Sequence, residues 1–254
     1  MQFFKRILNF DEAEVAQHEK RLARRFPLFP DSPLASRLIT ADAKLSGRLL
    51  DLSSAGAGLL IPTESAALTA GQICQIELSI ETLRLQLNAR IARLHPHADG
   101  QSVGLDLKDN DYLARRNLVQ LLEPIEIGSS LRSVDHKSVS HTEPGLLSVR
   151  YFSSTSSTLT IWRSVTDHSI SGFEMRMHQY HVRNGASPPA LKLFEDDSAN
   201  ASGGTGFGLP TLRPSIESGE EIRRLFNWVV PHLNDRLPAD VRTYLQGFTH
   251  QGRT

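Results

Sequence analysis

Between Arg37 and Leu107 apolar residues recur at alternate positions in a series of short runs, and this period of two constrains the fold most. SRLITADAKLSGRLLDLSS reads as two strands joined near Ala41 to Lys44. GLLIP, ICQIELSI, LRLQLNARIARL and VGLDL follow, separated by Pro, Gly, Asn or Asp. Strands this short and this closely spaced predict a small barrel or sandwich rather than a parallel α/β sheet.

The flanks have other periods. Residues 11–25 are helix-prone, with acids first and bases last, an order that suits the helix dipole. Pro27, Pro30 and Pro33 then end any helix and impose an extended path. In DNDYLARRNLVQLLEP, Asp109 or Asn110 is expected to cap a helix. Leu113, Leu118, Leu121 and Leu122 form its apolar stripe and Pro124 stops it. Such a helix would plug or flank the strands. The opening MQFFKRILNF is too short for a membrane span and lacks a cleavage site, so it is read as an amphipathic turn docking on the protein itself.

Two short motifs carry the chemistry. RLARR supplies Arg21 and Arg25, with Arg24 and Lys20 adding positive charge. DLSSAG supplies Asp51, Ser53 and Gly56, and Gly58 follows. Two arginines four apart, followed by Asp-x-Ser-x-x-Gly on a strand, resemble the ligand-binding motifs of PilZ domains. These are β-barrels that bind the bacterial second messenger cyclic di-GMP. The resemblance covers the N-terminal half and implies a six-stranded barrel with a closing α-helix. It implies binding roles for Arg21, Arg25, Asp51, Ser53 and Gly56, with Arg24 beside them.

Those residue types suit the ligand. A guanidinium bonds guanine O6 and N7 or a phosphate through two N–H groups, and its flat face stacks on a base. A carboxylate at Asp51 can accept from guanine N1–H and N2–H, and the Ser53 hydroxyl can bond a phosphate or base edge. Glycine at 56 suits a ligand approaching the backbone or a positive φ.

The second half names no chemistry. Residues 128–145 are polar and aperiodic and read as a linker. Strand-like runs resume with LLSVRYF, TLTIWRSV, FEMRMHQYHVR and ALKLF, and the glycine-rich stretch from Gly203 to Gly208 reads as a flexible tether. Ser218 and Glu221 have capping-box spacing ahead of Ile222, Leu225, Phe226 and Val229, and a last helix begins after Pro238. Trp162 and Trp228 are read as core. DHSISG, residues 167–172, repeats the Asp-x-Ser-x-x-Gly spacing without an upstream arginine pair and reads as a hairpin loop.

Other functional classes find little support. Formal charge is balanced, so no global field points to nucleic acid. His95, His97 and Asp99 form a polar turn, and a three-residue step sends His178 and His181 to opposite strand faces, so no metal site is expected. Cys74, the single cysteine, reads as a strand residue and fits a reducing compartment. No catalytic motif stands out.

The expected protein is mainly β. Residues 1–20 form an N-terminal arm, 21–127 a PilZ-like domain, 128–145 the linker, and 146–254 a strand-rich α+β domain. The expected function is a cytoplasmic, non-enzymatic cyclic di-GMP receptor without cofactor, metal or membrane span. Its unidentified protein partner would belong to motility, attachment or exopolysaccharide machinery. The alternatives are a PilZ-like adaptor that binds no nucleotide, or an enzyme in the C-terminal domain regulated by the barrel.

Overall fold

A computed structural model describes residues 4–30, 32–62, 68–133, 139–143, 145–184, 191–196 and 212–249. The chain divides into two compact units, Met1–Ile125 and Glu126–Thr254.

In the first unit the alternating runs become β2 (Ala35–Ile39), β3 (Lys44–Leu52), β4 (Gly56–Ile61), β5 (Ile73–Ile80), β6 (Leu83–His97) and β7 (Gly100–Asp106). They pair in the order β3-β2-β5-β6-β7-β4, and β4 returns to β3, so six strands close into a barrel. Closure leaves these strands no unpaired edge. The period of two sends Leu38, Leu49, Leu59, Ile76, Leu78, Leu87, Ile91 and Val103 inward, where all are buried. Each such side chain contributes about 1.5–3 kcal/mol by leaving water. A two-residue strand, β1 (Phe26–Pro27), adds to β3 with Phe26 opposite Leu52 and Pro27 opposite Asp51. The proline-rich segment is therefore fastened to the barrel at its start.

Helix α1 (Glu12–Arg21) begins at a capping box in which Asp11 and Glu14 satisfy each other's backbone N–H. Ahead of it Phe4, Ile7 and Leu8 are buried, in keeping with a docked amphipathic turn. The Gln120 side chain bonds the backbone of both Phe4 and Leu8.

Helix α2 (Tyr112–Ser130) departs from expectation at three points. It runs through Pro124 and across the division between the units. An internal proline costs about 3 kcal/mol. Burial of Leu121, Leu122 and Ile125 around it offsets that cost. The residue at its start is Asp111, whose carboxylate accepts from the Ala114 N–H at 2.8 Å. Asn110 instead bonds the Asn88 backbone. Leu113 is 47% exposed and does not join the stripe.

The second unit is an antiparallel sheet in the order β15-β14-β13-β12-β11-β10-β8, with β9 also on β10. These are β8 (Arg132–Ser133), β9 (Val139–Glu143), β10 (Leu146–Phe152), β11 (Thr158–Ser164), β12 (Ile170–Met177), β13 (Tyr180–Asn184), β14 (Leu191–Asp196) and β15 (Leu212–Pro214). Helices α3 (Gly219–Val229) and α4 (Ala239–Thr249) follow. Phe173 of β12 stacks on Phe226 of α3 at 5.6 Å and meets Phe248 of α4 edge-on at 5.1 Å.

Several expectations change here. The interval 128–145, read as a linker, supplies the end of α2, β8 and β9. FEMRMHQYHVR is two strands, because His178 takes φ 55° and turns the chain between β12 and β13. Ser218 stands at the N-cap of α3 without a side-chain capping bond. Trp228 is buried, whereas Trp162 is half-buried. Of residues 167–172, read as a hairpin loop, 167–169 lie in the turn from β11 into β12, where Asp167 accepts from the Ser169 hydroxyl at 2.8 Å, while Ile170, Ser171 and Gly172 already belong to β12. The stretch from Gly203 to Gly208 lies outside the described residues.

Candidate functional site

The two motifs meet on the barrel because α1 is tied to the turn between β3 and β4. The Ser54 hydroxyl donates to the Glu19 carbonyl at 2.7 Å, and the Ser54 N–H donates to the Leu22 carbonyl at 3.0 Å. Glu19 in turn accepts from Nε and Nη2 of Arg115 on α2, at 2.8 and 2.9 Å. With the end of α1 anchored on one side and β1 on the other, Arg25 has little freedom. Its Nη1 lies 2.6 Å from Asp51 Oδ1. Both side chains retain solvent access, 44% for Arg25 and 26% for Asp51.

The other arginines have different partners. Arg21 donates to Glu123 Oε2 at 2.5 Å; its Nη2 also lies 2.6 Å from His18 Nδ1. Glu123 belongs to α2 and its side chain is wholly buried, so it needs a cation. Arg24 lies over the Phe26 ring, 4.8 Å from its centroid.

Ser53 lies within the turn between β3 and β4. It is buried, its hydroxyl donates to the Gly56 carbonyl at 3.1 Å, and it accepts from the Gly56 N–H at 3.0 Å. The hydroxyl thus shapes the turn that presents Asp51. Gly56 has no positive φ; its need is space. A Cβ there would stand 2.7 Å from the Leu105 carbonyl oxygen and 3.5 Å from Arg25 Nη2. Asp106, opposite Gly56, is paired to Arg90 at 3.3 Å. Desolvation raises its carboxyl, but the Lys108 N–H and Arg90 outweigh it and hold the group below the usual range.

One row of residues crosses four strands beside this pair. Asp51 opposes Gly58, Gly58 opposes Gly104, and Gly104 opposes Arg93. Bulges at Leu49/Asp51 and Ile91/Arg93 set this register. A Cβ on Gly58 would strike the Asp51 carboxylate at 2.8 Å, and one on Gly104 would strike Arg93 Cγ at 2.6 Å. The acid and the arginine therefore lie along a backbone floor that only glycine leaves open. Two residues further along β4, the surface dips into a shallow cavity of about 320 Å³ lined by Arg48, Leu60 and Asp99 among others.

Arg93, Gly104 and Glu123 were missed in the sequence. For Glu123, an acid set among the apolar residues of a helix was the available signal. For Arg93 there was none, since a bulge decides its neighbours. Among the described residues no group of three His, Cys, Asp or Glu is placed to hold a metal, and no helix is long and apolar enough to cross a membrane.

Comparison with known proteins gives a family for one part of the chain. Residues 19–123 match the PilZ domain model. No curated protein matches the chain. Similar solved structures include the PilZ domain with c-di-GMP of YcgR from Escherichia coli, at 21% identity and TM-score 0.32, covering 37% of this chain and 82% of that one. The PilZ domain of CeSA from a cellulose-synthesizing bacterium is 24% identical with TM-score 0.30, covering 39% and 93%. The PlzA protein of Borreliella burgdorferi, in complex with c-di-GMP, is 6% identical with TM-score 0.32, covering 84% and 98%.

Proposed function

From the premise that residues 19–123 of this chain are a PilZ domain, we propose that the protein is a cyclic di-GMP receptor. The observation that carries this reading is the Arg25–Asp51 pair, 2.6 Å apart and still open to solvent. An exposed pair of this kind is worth little to stability, so a ligand can replace it cheaply. Asp51 would then accept from the Watson–Crick edge of a guanine, while Arg25 turns to a base or phosphate. Gly56 keeps the backbone low beneath them. Ser53 acts indirectly, by holding the turn.

Arg21 would join the ligand only on leaving Glu123, so binding and the state of α2 are linked. A movement of that kind would pass the bound state to a protein partner in motility, attachment or exopolysaccharide control. In this reading the chain is a cytoplasmic, non-enzymatic sensor.

The hold of Glu123 on Arg21 also favours a second reading, a PilZ-like adaptor that binds no nucleotide. Titration calorimetry with cyclic di-GMP separates the two. The receptor gives heat with the wild type. Arg25→Ala and Asp51→Ala each weaken it by about 1–3 kcal/mol, the worth of a bidentate base contact. The adaptor gives no heat with any of them.

A further inference from the structure

We propose that Arg93 is a nucleotide-binding residue, its guanidinium stacking on a guanine of cyclic di-GMP seated over the floor of Gly58 and Gly104. This rests on the receptor reading above and extends it to a residue outside both sequence motifs.

Arg93 lies against Gly104 of the neighbouring strand. Its Cγ, Nε and Cδ come within 2.6, 2.8 and 3.2 Å of where a Gly104 Cβ would be. The stem and the first guanidinium nitrogen are thus pressed along the sheet instead of standing out from it. An arginine that stands out offers N–H edges to a phosphate. One that lies flat offers a face, and a face stacks on a planar base.

The surroundings match that role. Arg93 is exposed, and among the described residues it has no hydrogen bond or ion pair. Nearby cations behave differently, since Arg25 is taken by Asp51 and Arg90 by Asp106. Arg93 thus lies ready on its floor without a competing acid to release it from. Successive strands lie about 4.8 Å apart, so Asp51 over β4 and Arg93 over β7 are near neighbours across the glycines. A base whose edge meets Asp51 extends over the adjoining strand, where Arg93 lies.

Two glycines at one register position also make sense as a pair. Gly58 admits the Asp51 carboxylate and Gly104 admits the Arg93 stem, so both groups reach floor level. The shallow cavity at Arg48 continues this outer face and leaves room for a ligand larger than one nucleotide.

The test compares Arg93→Ala and Arg93→Lys with the wild type by calorimetry against cyclic di-GMP, with melting temperatures as the folding control. Both changes are on an exposed side chain, so melting temperatures should match the wild type. Stacking predicts that both lose affinity alike, by roughly 3- to 30-fold, because lysine keeps the charge and loses the plane. Wild-type affinity in Arg93→Lys overturns stacking in favour of charge alone. Wild-type affinity in Arg93→Ala overturns any role for the residue while leaving the receptor reading intact. If the wild type itself binds nothing, the receptor reading fails and this inference fails with it.

Discussion

Nη2 of Arg21 stands 2.5 Å from Oε2 of Glu123, joining the first arginine of the motif to a carboxylate of α2 that water does not reach. His18 Nδ1 also lies near that oxygen, at 3.2 Å. The two motif arginines therefore do different work. Arg21 neutralises a buried charge, whereas Arg25 pairs with an acid at the surface.

That difference is measurable. Removing one partner of a buried pair costs about 3–5 kcal/mol, because the other charge is stranded. Arg21→Ala should lose stability on that scale, at its lower end since Arg21 is 29% exposed and His18 remains. Arg25→Ala should lose no more than about 1 kcal/mol. Urea unfolding of both variants checks the contrast, and equal losses would contradict the division of labour.

Gly56 is held to glycine by the neighbouring strand. Its missing Cβ would stand 2.7 Å from a backbone carbonyl that cannot swing away. Gly56→Ala should cost about 1–3 kcal/mol, the usual penalty for overpacking. The midpoint of urea unfolding should fall even without ligand, whereas a residue serving ligand approach alone would leave it unmoved.

A second carboxylate sets a pH dependence. Glu174 accepts from His181 at 2.6 Å and from Arg183 at 2.9 Å. Desolvation pushes its carboxyl up, but those two partners outweigh it and the group titrates below the usual range. Its contribution is thus complete above the unfolded carboxyl's range and fades as pH falls through the lower folded value. The stability gap between wild type and Glu174→Gln should be constant near neutrality and narrow in acid. A gap that widens on acidification would reverse the assignment.

Burial pushes the Cys74 thiol up to about 11, and its sulfur faces the Ala89 carbonyl on β6. Only the thiolate reacts, so native protein at pH 8 should resist an aromatic disulfide reagent and react fully once unfolded. Titration with and without denaturant measures this directly. Above the ordinary thiol range the unfolded chain loses its proton first, so this cysteine makes the fold less stable as pH climbs toward 11.

The barrel was legible because alternation is local: each of β2 to β7 carries its inward face in its own residues, and Leu38, Ile76 and Leu87 went where the period of two sent them. The hairpin at His178 was not legible, since a turn of ordinary residues leaves no glycine or proline to mark it. Pro124 misled for a related reason. Its local cost was visible, while the burial of Leu121, Leu122 and Ile125 that offsets it belongs to the folded chain.

By itself, then, the sequence determined the six strands of the barrel and carried two motifs suited to a guanine nucleotide, one ahead of those strands and one within them. Tertiary structure alone decided the partners: Arg25 with Asp51, Arg21 with Glu123, and Arg93 laid on Gly104. The physical reason is that side-chain direction follows local backbone geometry. Neighbours across strands follow register, and a single bulged residue resets register without changing any local pattern.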